Sequence, residues 1–276
     1  MIKSWSDTLS SFLKSSNEDE AIHRTFTTNV LPTLLNVNDL KSLKWLEIGI
    51  GDGNKTRLFS KSIDEACFFD KVNLTICEPS IDWLVYLQSN NFTKSIPNNF
   101  DANFINFSIE EYVDCRIVND YDFISIVQVM YSDSIKNAVL KLIDDTPKGN
   151  SCVYWIDVED KSGDFYKMRA ELAKFKKSEV NSMTDKFLED LSERNIQYKT
   201  FYTVNKTCSI NKSEILSNDN HWIFPFIIGS SYNEFDGLKV LEKSLIRNTV
   251  RNYISTLQTE LLNIPDISIL FTINKK

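Results

Sequence analysis

The sequence predicts a doubly wound α/β fold, in which a mostly parallel sheet carries helices on both faces. Short apolar runs alternate with amphipathic segments of helix length from residue 44 onward, as expected for parallel strands joined by helical crossovers. A glycine-rich turn separates the first apolar run from the first of these helices. The 276 residues are also enough to bury a substantial core.

Seven apolar segments are predicted to be strands. They span residues 45–48, 72–77, 102–107, 123–130, 152–158, 196–204 and 267–273. Apolar side chains at helical spacing predict helices between them, over residues 56–63, 81–89, 134–143, 166–175 and 182–193. We therefore predict three parts. They are an N-terminal helical lid (1–40), an α/β domain (41–208 with 263–276) and a helical cap (209–262).

Charge and composition exclude several classes of protein. The formal net charge is −7 and the pI is about 5.1, whereas non-specific nucleic-acid binders need basic patches. The sequence has neither an apolar signal core nor the roughly 18 apolar residues of a membrane helix. A cytoplasmic protein is expected, without nucleic-acid or membrane partners. Five cysteines without CxxC pairing and only two histidines predict reduced thiols and no metal site.

The most informative segment is a glycine cluster after the first predicted strand. Three of the seven glycines, Gly49, Gly51 and Gly53, fall within five residues. Glycine lets a backbone turn sharply and approach a ligand without a Cβ, and the following helix N-terminus offers free N–H groups. A dinucleotide fingerprint, GxGxxG, is the rival interpretation, but Asn54 occupies its third glycine position. With Glu47 the pattern is ExGxGxG, which resembles motif I of S-adenosylmethionine-dependent methyltransferases.

A second motif, Glu78-Pro79-Ser80, ends the second predicted strand. An acidic residue there can accept hydrogen bonds from both ribose hydroxyls, and open α/β sheets bind ligands at the carboxyl ends of their strands. An ordinary turn followed by a surface glutamate is the alternative. The resemblance implies S-adenosylmethionine as cofactor and S-adenosylhomocysteine as product. The residues implied to hold the cofactor in these two motifs are Glu47, Gly49, Gly51, Gly53, Glu78, Pro79 and Ser80.

Further segments resemble the histamine N-methyltransferase family. They are residues 121–131 (YDFISIVQVMY), Phe12-Leu13, Phe26, Leu31-Pro32, the Glu78-Pro79-Ser80 triplet and the insertion around Trp222. This resemblance implies a Rossmann-like, seven-stranded class I methyltransferase sheet with helices on both faces. An N-terminal helical segment and a helical insertion before the last strand complete the implied fold. It also implies N-methylation of an imidazole or another small amine.

The same resemblance assigns roles to individual residues. Gln128 corresponds to a glutamine that contacts the substrate, and Tyr131 to a tyrosine that lines the amine pocket. Val127 would lie beside the cofactor, and Ser108 near its adenine end.

A glutamate that holds the substrate in that family corresponds to Glu18 or Asp19. Asp266 stands where the family has an asparagine, Trp83 where it has a glutamine, and Ser132 where it has an aromatic residue. These departures favour an amine that differs from histamine in bulk or charge.

Several of these residues also have structural interpretations. Glu18 and Asp19 fall in the first turn of a predicted helix, where acidic side chains complement the helix dipole. Asp266 could simply open the last strand. Trp222, with its aromatic neighbours, could form the core of the cap. Gln128 has the stronger functional argument, because a buried amide needs partners.

The predicted function is methyl transfer from S-adenosylmethionine to a small amine, with Gln128 and Glu18 or Asp19 as catalytic candidates and Tyr131, Trp222 and Asp266 as substrate contacts. An imidazole nitrogen is largely neutral near pH 7, given a reference pKa of about 6.5, so no strong base is needed. A carboxylate or hydroxyl acceptor is the first alternative, and a non-catalytic cofactor-binding protein is the second. A monomer or weak dimer is expected.

Overall fold

The computed structural model describes residues 5–37, 41–115, 120–130, 132–146, 151–176, 183–203 and 205–274. The chain divides into two compact units. We call one the sheet unit; it comprises Ile22–Val158, Met183–Thr203 and Ile267–Lys276. We call the other the helical unit; it comprises Met1–Ala21, Glu159–Ser182 and Val204–Asp266. This division differs from the three predicted parts in two ways. Residues 159–182 group with the N-terminal and insertion segments, and residues 22–37 of the predicted lid group with the sheet.

The strands in the described part of the chain, in order, are β1 (Ser42–Ile48), β2 (Lys71–Cys77), β3 (Phe100–Ile105), β4 (Phe123–Val127), β5 (Ser151–Glu159), β6 (Tyr198–Thr203), β7 (Thr207–Ser209), β8 (Leu261–Asn263) and β9 (Asp266–Asn274). Seven of them form a mixed sheet in the order β3-β2-β1-β4-β5-β9-β6. The central pairs β3/β2, β2/β1, β1/β4 and β4/β5 are all parallel. The strand order reverses between β1 and β4, which makes their carboxyl ends the topological switch point of the sheet.

The described helices, in chain order, are α1 (Trp5–Ser15), α2 (Glu18–Thr25), α3 (Leu31–Val37), α4 (Asn54–Glu65), α5 (Ile81–Ser89), α6 (Phe92–Ser95), α7 (Ile109–Asp114), α8 (Asp133–Asp144), α9 (Asp164–Lys176), α10 (Met183–Glu193), α11 (Lys212–Ser217), α12 (Ile223–Ile227), α13 (Tyr232–Gly237) and α14 (Val240–Thr256). A π-helical turn, Phe26–Val30, joins α2 to α3. Pro32, which has no backbone N–H to donate, is the second residue of α3 and directly follows this change of hydrogen-bond pattern. None of the described helices is both long and apolar enough to cross a membrane.

Alternating side chains place the two faces of the sheet in separate cores. On one face, Leu46 and Ile48 of β1 pack in a cluster with side chains of α7, α8 and α10. On the other face, Trp45 packs in a cluster with Phe26 and with Phe59 of α4. The period of two along a buried strand produces this division. The predicted doubly wound class, with helices on both faces, is confirmed.

The helical unit has its own core of aromatic and aliphatic side chains. Helices α1, α9, α12 and α14 contribute to it, for example through Phe12, Met168, Phe224 and Val250. Strands β7 and β8 pair antiparallel within this unit. The predicted helical cap (209–262) therefore has strand residues at its two ends, Ser209 of β7 and Leu261 and Leu262 of β8. A strand of three residues is too short to show a period of two, so the sequence pattern did not reveal it.

Candidate functional site

The loop between β1 and α4 has a backbone that only glycine adopts without strain. Gly49, Gly51 and Gly53 have φ values of +72°, +57° and +77°. An L side chain is disfavoured in this left-handed region. The ExGxGxG spacing therefore has a direct conformational cause, and the loop lies at the switch point of the sheet.

The three glycines differ in what surrounds them. A Cβ on Gly49 would lie 2.5 Å from Cγ2 of Val129, and one on Gly53 would lie 2.7–2.9 Å from Leu87 and Phe92. A Cβ on Gly51 would meet nothing within 4 Å. Gly49 and Gly53 are thus required for packing, whereas Gly51 borders open space in which a ligand could approach the backbone.

The carboxylate of Glu78 is fixed against this loop. One oxygen, Oε2, accepts the backbone N–H of Gly51 at 3.2 Å, and the other, Oε1, accepts the N–H of Ser80 at 2.9 Å. Only 5% of Glu78 is exposed. Burial raises the pKa of this carboxyl, and the two N–H donors oppose that rise by stabilising the charged form.

Two neighbours hold the segment that carries Glu78. Ser80 caps α5, because its Oγ accepts the N–H of Trp83 at 3.4 Å. The side-chain amide of Asn106, just after β3, donates to the carbonyls of Glu78 and Pro79, each at 3.0 Å. The sequence prediction missed Asn106, because an asparagine that follows a strand has no distinctive pattern of its own.

Glu47 lies inside the sheet unit. Its carboxyl accepts hydrogen bonds from the hydroxyls of Ser125 on β4 and Thr56 on α4, and Trp45 donates to Ser125 at 2.7 Å. Burial raises the pKa of Glu47 to about 7 against the lowering effect of these donors. The carboxyl therefore joins β1, β4 and α4, while its predicted contact with a cofactor stays a prediction.

Two further predicted cofactor residues are held by local structure. Ser108 caps α7 in a capping box: its Oγ accepts the N–H of Glu111 at 3.2 Å, and the Glu111 carboxylate accepts the N–H of Ser108 at 2.7 Å. Val127 is buried at the end of β4, opposite Asp157 of β5. Their contacts with a cofactor stay predictions.

Strand β4 ends earlier than predicted. The apolar run continues to Met130, but the strand stops at Val127 because Gln128 turns into the left-handed region with φ +58°. The side-chain Nε2 of Gln128 donates to Oδ2 of Asp157 at 2.9 Å. Gln128 is half-buried at the carboxyl end of β4, on the switch point that also carries the glycine loop. Tyr131 lies outside the described residues.

The helical unit brings together two predicted substrate residues that are far apart in sequence. The Nζ of Lys206 lies 2.7 Å from Oε2 of Glu18 and 2.6 Å from Oδ2 of Asp266. All three side chains are at least nine-tenths buried. The neighbouring Asp19 is half-buried. The sequence prediction did not include Lys206, because a single lysine in a polar segment carries no pattern.

Trp222 belongs to the aromatic core of the helical unit. Its ring lies 6.2 Å from Phe12 and 5.6 Å from Phe226, and the Phe12 and Phe226 rings stack at 4.6 Å. The neighbouring His221 is buried, which lowers its pKa, and its Nδ1 accepts the N–H of Ile223 at 3.2 Å. These ring contacts support the alternative interpretation of Trp222 as a core residue. A contact between Trp222 and the substrate stays a prediction.

Comparison with known proteins identifies the fold. No protein-family model and no curated protein sequence matches the chain. Among solved structures, the plantazolicin methyltransferase BamL, in complex with a triazolic desmethylPZN analogue and SAH, is 12% identical with a TM-score of 0.51. The likeness covers 96% of this chain and 90% of that one.

A cyclopropane-fatty-acyl-phospholipid synthase-like protein from Lactobacillus casei ATCC 334 is 10% identical with a TM-score of 0.55, over 92% of this chain and 90% of the other. This is the class I methyltransferase fold. At such identities the likeness shows the fold alone, and the closer resemblance to histamine N-methyltransferase stays a prediction. In the methyltransferase fold of this chain, the glycine loop, Glu78 and Gln128 all lie at the carboxyl ends of the central strands β1, β2 and β4.

Proposed function

We propose that this chain is an S-adenosylmethionine-dependent methyltransferase whose methyl acceptor is a small amine, such as an imidazole. The observation that carries the proposal is the carboxylate of Glu78, held at the glycine loop by the N–H of Gly51. Carboxylates accept up to about four hydrogen bonds. The two backbone N–H bonds described above leave acceptor capacity for a pair of ribose hydroxyls.

The loop also fits this cofactor in shape. Gly51 has a left-handed backbone and borders open space, so a ligand can approach the main chain where any side chain would intrude. The solved relative BamL was crystallised with SAH, the demethylated form of the cofactor. When bound, S-adenosylmethionine supplies an electrophilic methyl group on its sulfonium.

The chain itself contributes binding and orientation. Glu78 would hold the ribose, and Gln128 would hold the methyl acceptor by a hydrogen bond from its half-buried position at the end of β4. Correct placement of two reactants lowers the barrier without a strong base, and a neutral imidazole or amine nitrogen needs none. A role for Glu18 or Asp19 in binding the cationic end of the substrate remains part of the proposal. For Glu18, a substrate cation would compete with the Lys206 ammonium.

Calorimetric titration of the full chain with S-adenosylhomocysteine tests the cofactor site. Glu78→Ala is expected to weaken binding by about tenfold or more, as for loss of a hydrogen-bonded charged group. Asp82→Ala is a matched control, because it removes the same charge from an exposed position four residues away. Unchanged affinity in Glu78→Ala, or no binding by the wild type, would contradict the proposal.

A glycine pair separates ligand contact from backbone strain. Gly51 and Gly229 have φ values of +57° and +66°, and neither would place a Cβ within 4 Å of another atom. Alanine at either position should therefore cost similar stability, about 1 kcal/mol. Only Gly51→Ala is expected to weaken binding of S-adenosylhomocysteine. Equal affinities in the two variants would remove Gly51 from the site.

A further inference from the structure

The buried residue Asp157, on β5, belongs to no sequence motif, yet it accepts two hydrogen bonds from Gln128. Its carbonyl accepts the backbone N–H of Gln128 at 2.9 Å, and its carboxylate Oδ2 accepts the side-chain Nε2 at 2.9 Å. None of the surface of Asp157 is exposed. The two bonds hold both the backbone and the side-chain amide of Gln128 against one residue of β5.

A series of hydrogen bonds around Asp157 shows which groups donate and which accept. The indole Nε1–H of Trp155 can only donate, and it donates to Oγ of Ser268 at 3.1 Å. The Ser268 hydroxyl in turn donates to Oδ1 of Asp157. The other carboxyl oxygen, Oδ2, accepts the side-chain Nε2–H of Gln128, so the amide of Gln128 presents its N–H end to Asp157.

The orientation of the amide decides what Gln128 can recognise. The amide group is planar, with its oxygen and nitrogen on opposite sides of one carbon. With Nε2 on Asp157, Oε1 is turned away from that carboxylate. Any group that meets Oε1 must be a hydrogen-bond donor.

We propose that Asp157 is a positioning residue that makes Gln128 a hydrogen-bond acceptor toward the methyl acceptor. The substrate then carries an N–H or O–H donor, and a carboxylate substrate is disfavoured. This inference rests on the proposed function. An imidazole meets the requirement, since one ring nitrogen donates to Oε1 while the other keeps its lone pair for the methyl group.

The positioning step can be tested without a substrate. The chain has four glutamines, Gln88, Gln128, Gln197 and Gln258, so selective ¹⁵N labelling of glutamine side chains yields four NH₂ signals. Loss of one pair in Gln128→Met assigns Gln128. We expect one Gln128 side-chain proton to exchange with D₂O at least about tenfold more slowly than those of exposed Gln88, as for a hydrogen bond to a charged group.

The isosteric variant Asp157→Asn should abolish most of that protection, whereas Ser268→Ala, which keeps the carboxylate, should retain it. Exchange of Gln128 at the rate of Gln88 in the wild type would overturn the inference even if Asp157→Asn fails to fold. Protection that is unchanged in a folded Asp157→Asn would overturn it as well.

The substrate class is tested with labelled S-adenosylmethionine and matched acceptors: imidazole, benzylamine, benzyl alcohol and benzoate. Imidazole, which is largely neutral near pH 7 and carries an N–H donor, is expected to be methylated in preference to benzoate. Asp157→Asn should lower kcat/KM by about 10- to 100-fold, as for loss of one charged hydrogen bond, with the Kd of S-adenosylhomocysteine unchanged. Preferred methylation of benzoate, or an unchanged kcat/KM, would overturn the inference. Failure of the wild type to bind S-adenosylhomocysteine would instead overturn the proposed function, and amide exchange would still decide the role of Asp157.

Discussion

The two compact units hold their buried carboxyl groups in different ways. In the sheet unit, Glu78 is held by backbone N–H groups and Glu47 by hydroxyls, all neutral donors. In the helical unit, Glu18 and Asp266 are held by the ammonium of Lys206. A neutral donor leaves the charge of a carboxylate uncancelled, whereas a neighbouring ammonium cancels it. We therefore expect the loss of one partner to cost more stability at the buried ion pairs than at the carboxyls held by neutral donors.

The largest expected effect comes from Lys206→Met, which leaves two buried carboxylates without that ammonium. Removing one partner of a buried ion pair costs about 3–5 kcal/mol, so the urea midpoint should fall sharply. Lys61→Met is the control, since Lys61 is exposed and pairs with Glu65 at 3.7 Å, an arrangement worth less than about 1 kcal/mol. Similar losses of stability in both variants would show that Lys206 stabilises the fold no more than the exposed Lys61 does.

A pH-dependent effect of intermediate size is expected for Glu47→Gln. Glu47 has its pKa raised from 4.5 to about 7 by burial. The protonated form is therefore favoured by folding, and this contribution is complete below pH 4.5 and disappears as the pH rises through 7. The wild type should lose up to about 3 kcal/mol across that window, while the variant should not.

Urea unfolding of both proteins between pH 4.5 and 8 measures this difference. Because other titrating groups are common to the two proteins, their contributions cancel in the comparison. A stability difference that does not change with pH would show that Glu47 keeps an ordinary pKa.

A smaller loss is expected for Thr56→Val, which removes one hydroxyl donor to Glu47 while keeping the side-chain shape. The bond is 3.4 Å long and buried, so about 1 kcal/mol should be lost. This donor lowers the pKa of Glu47 by stabilising its charged form. The loss should therefore be greater at pH 8 than at pH 5, and the opposite order would contradict the assigned contact.

The smallest effect is expected for Asp219→Asn in the helical unit. Asp219 lies 2.8 Å from Nη2 of Arg251, which lowers its pKa, but its side chain is 61% exposed. Exposed ion pairs are screened by solvent and salt. The thermal midpoint should stay unchanged within error at 0.15 M salt. A clear drop would show that this exposed ion pair stabilises the fold as the buried Lys206 ion pairs do.

Local patterns were enough to predict the sheet and its glycine loop. Strands β1 to β5 are apolar runs that alternate with helices, and the left-handed loop needs glycines that can be seen in the sequence. Gln128 shows the limit of this reasoning. The apolar run passes through it to Met130, and only the backbone turn at φ +58° ends the strand there.

Contacts between distant segments were not predictable. Lys206 gains its importance from Glu18 and Asp266, which come from opposite ends of the chain. Asp157 lies in an apolar strand, and its partner Ser268 follows 111 residues later. A single lysine or aspartate forms no recognisable sequence motif. That Lys206 and Asp157 are buried, and which side chains they contact, is known only from the folded structure.

The pairing of Asn17 with β7 has a consequence for the order of folding. The side-chain oxygen of Asn17 accepts the N–H of Thr207 at 2.7 Å, across 190 residues of sequence. During synthesis, the parallel strands β1 to β5 can associate while β7 is still unmade. Distant contacts form slowly, and domains fold as they emerge. The contact between Asn17 and Thr207 can therefore form only after most of the chain has been synthesised.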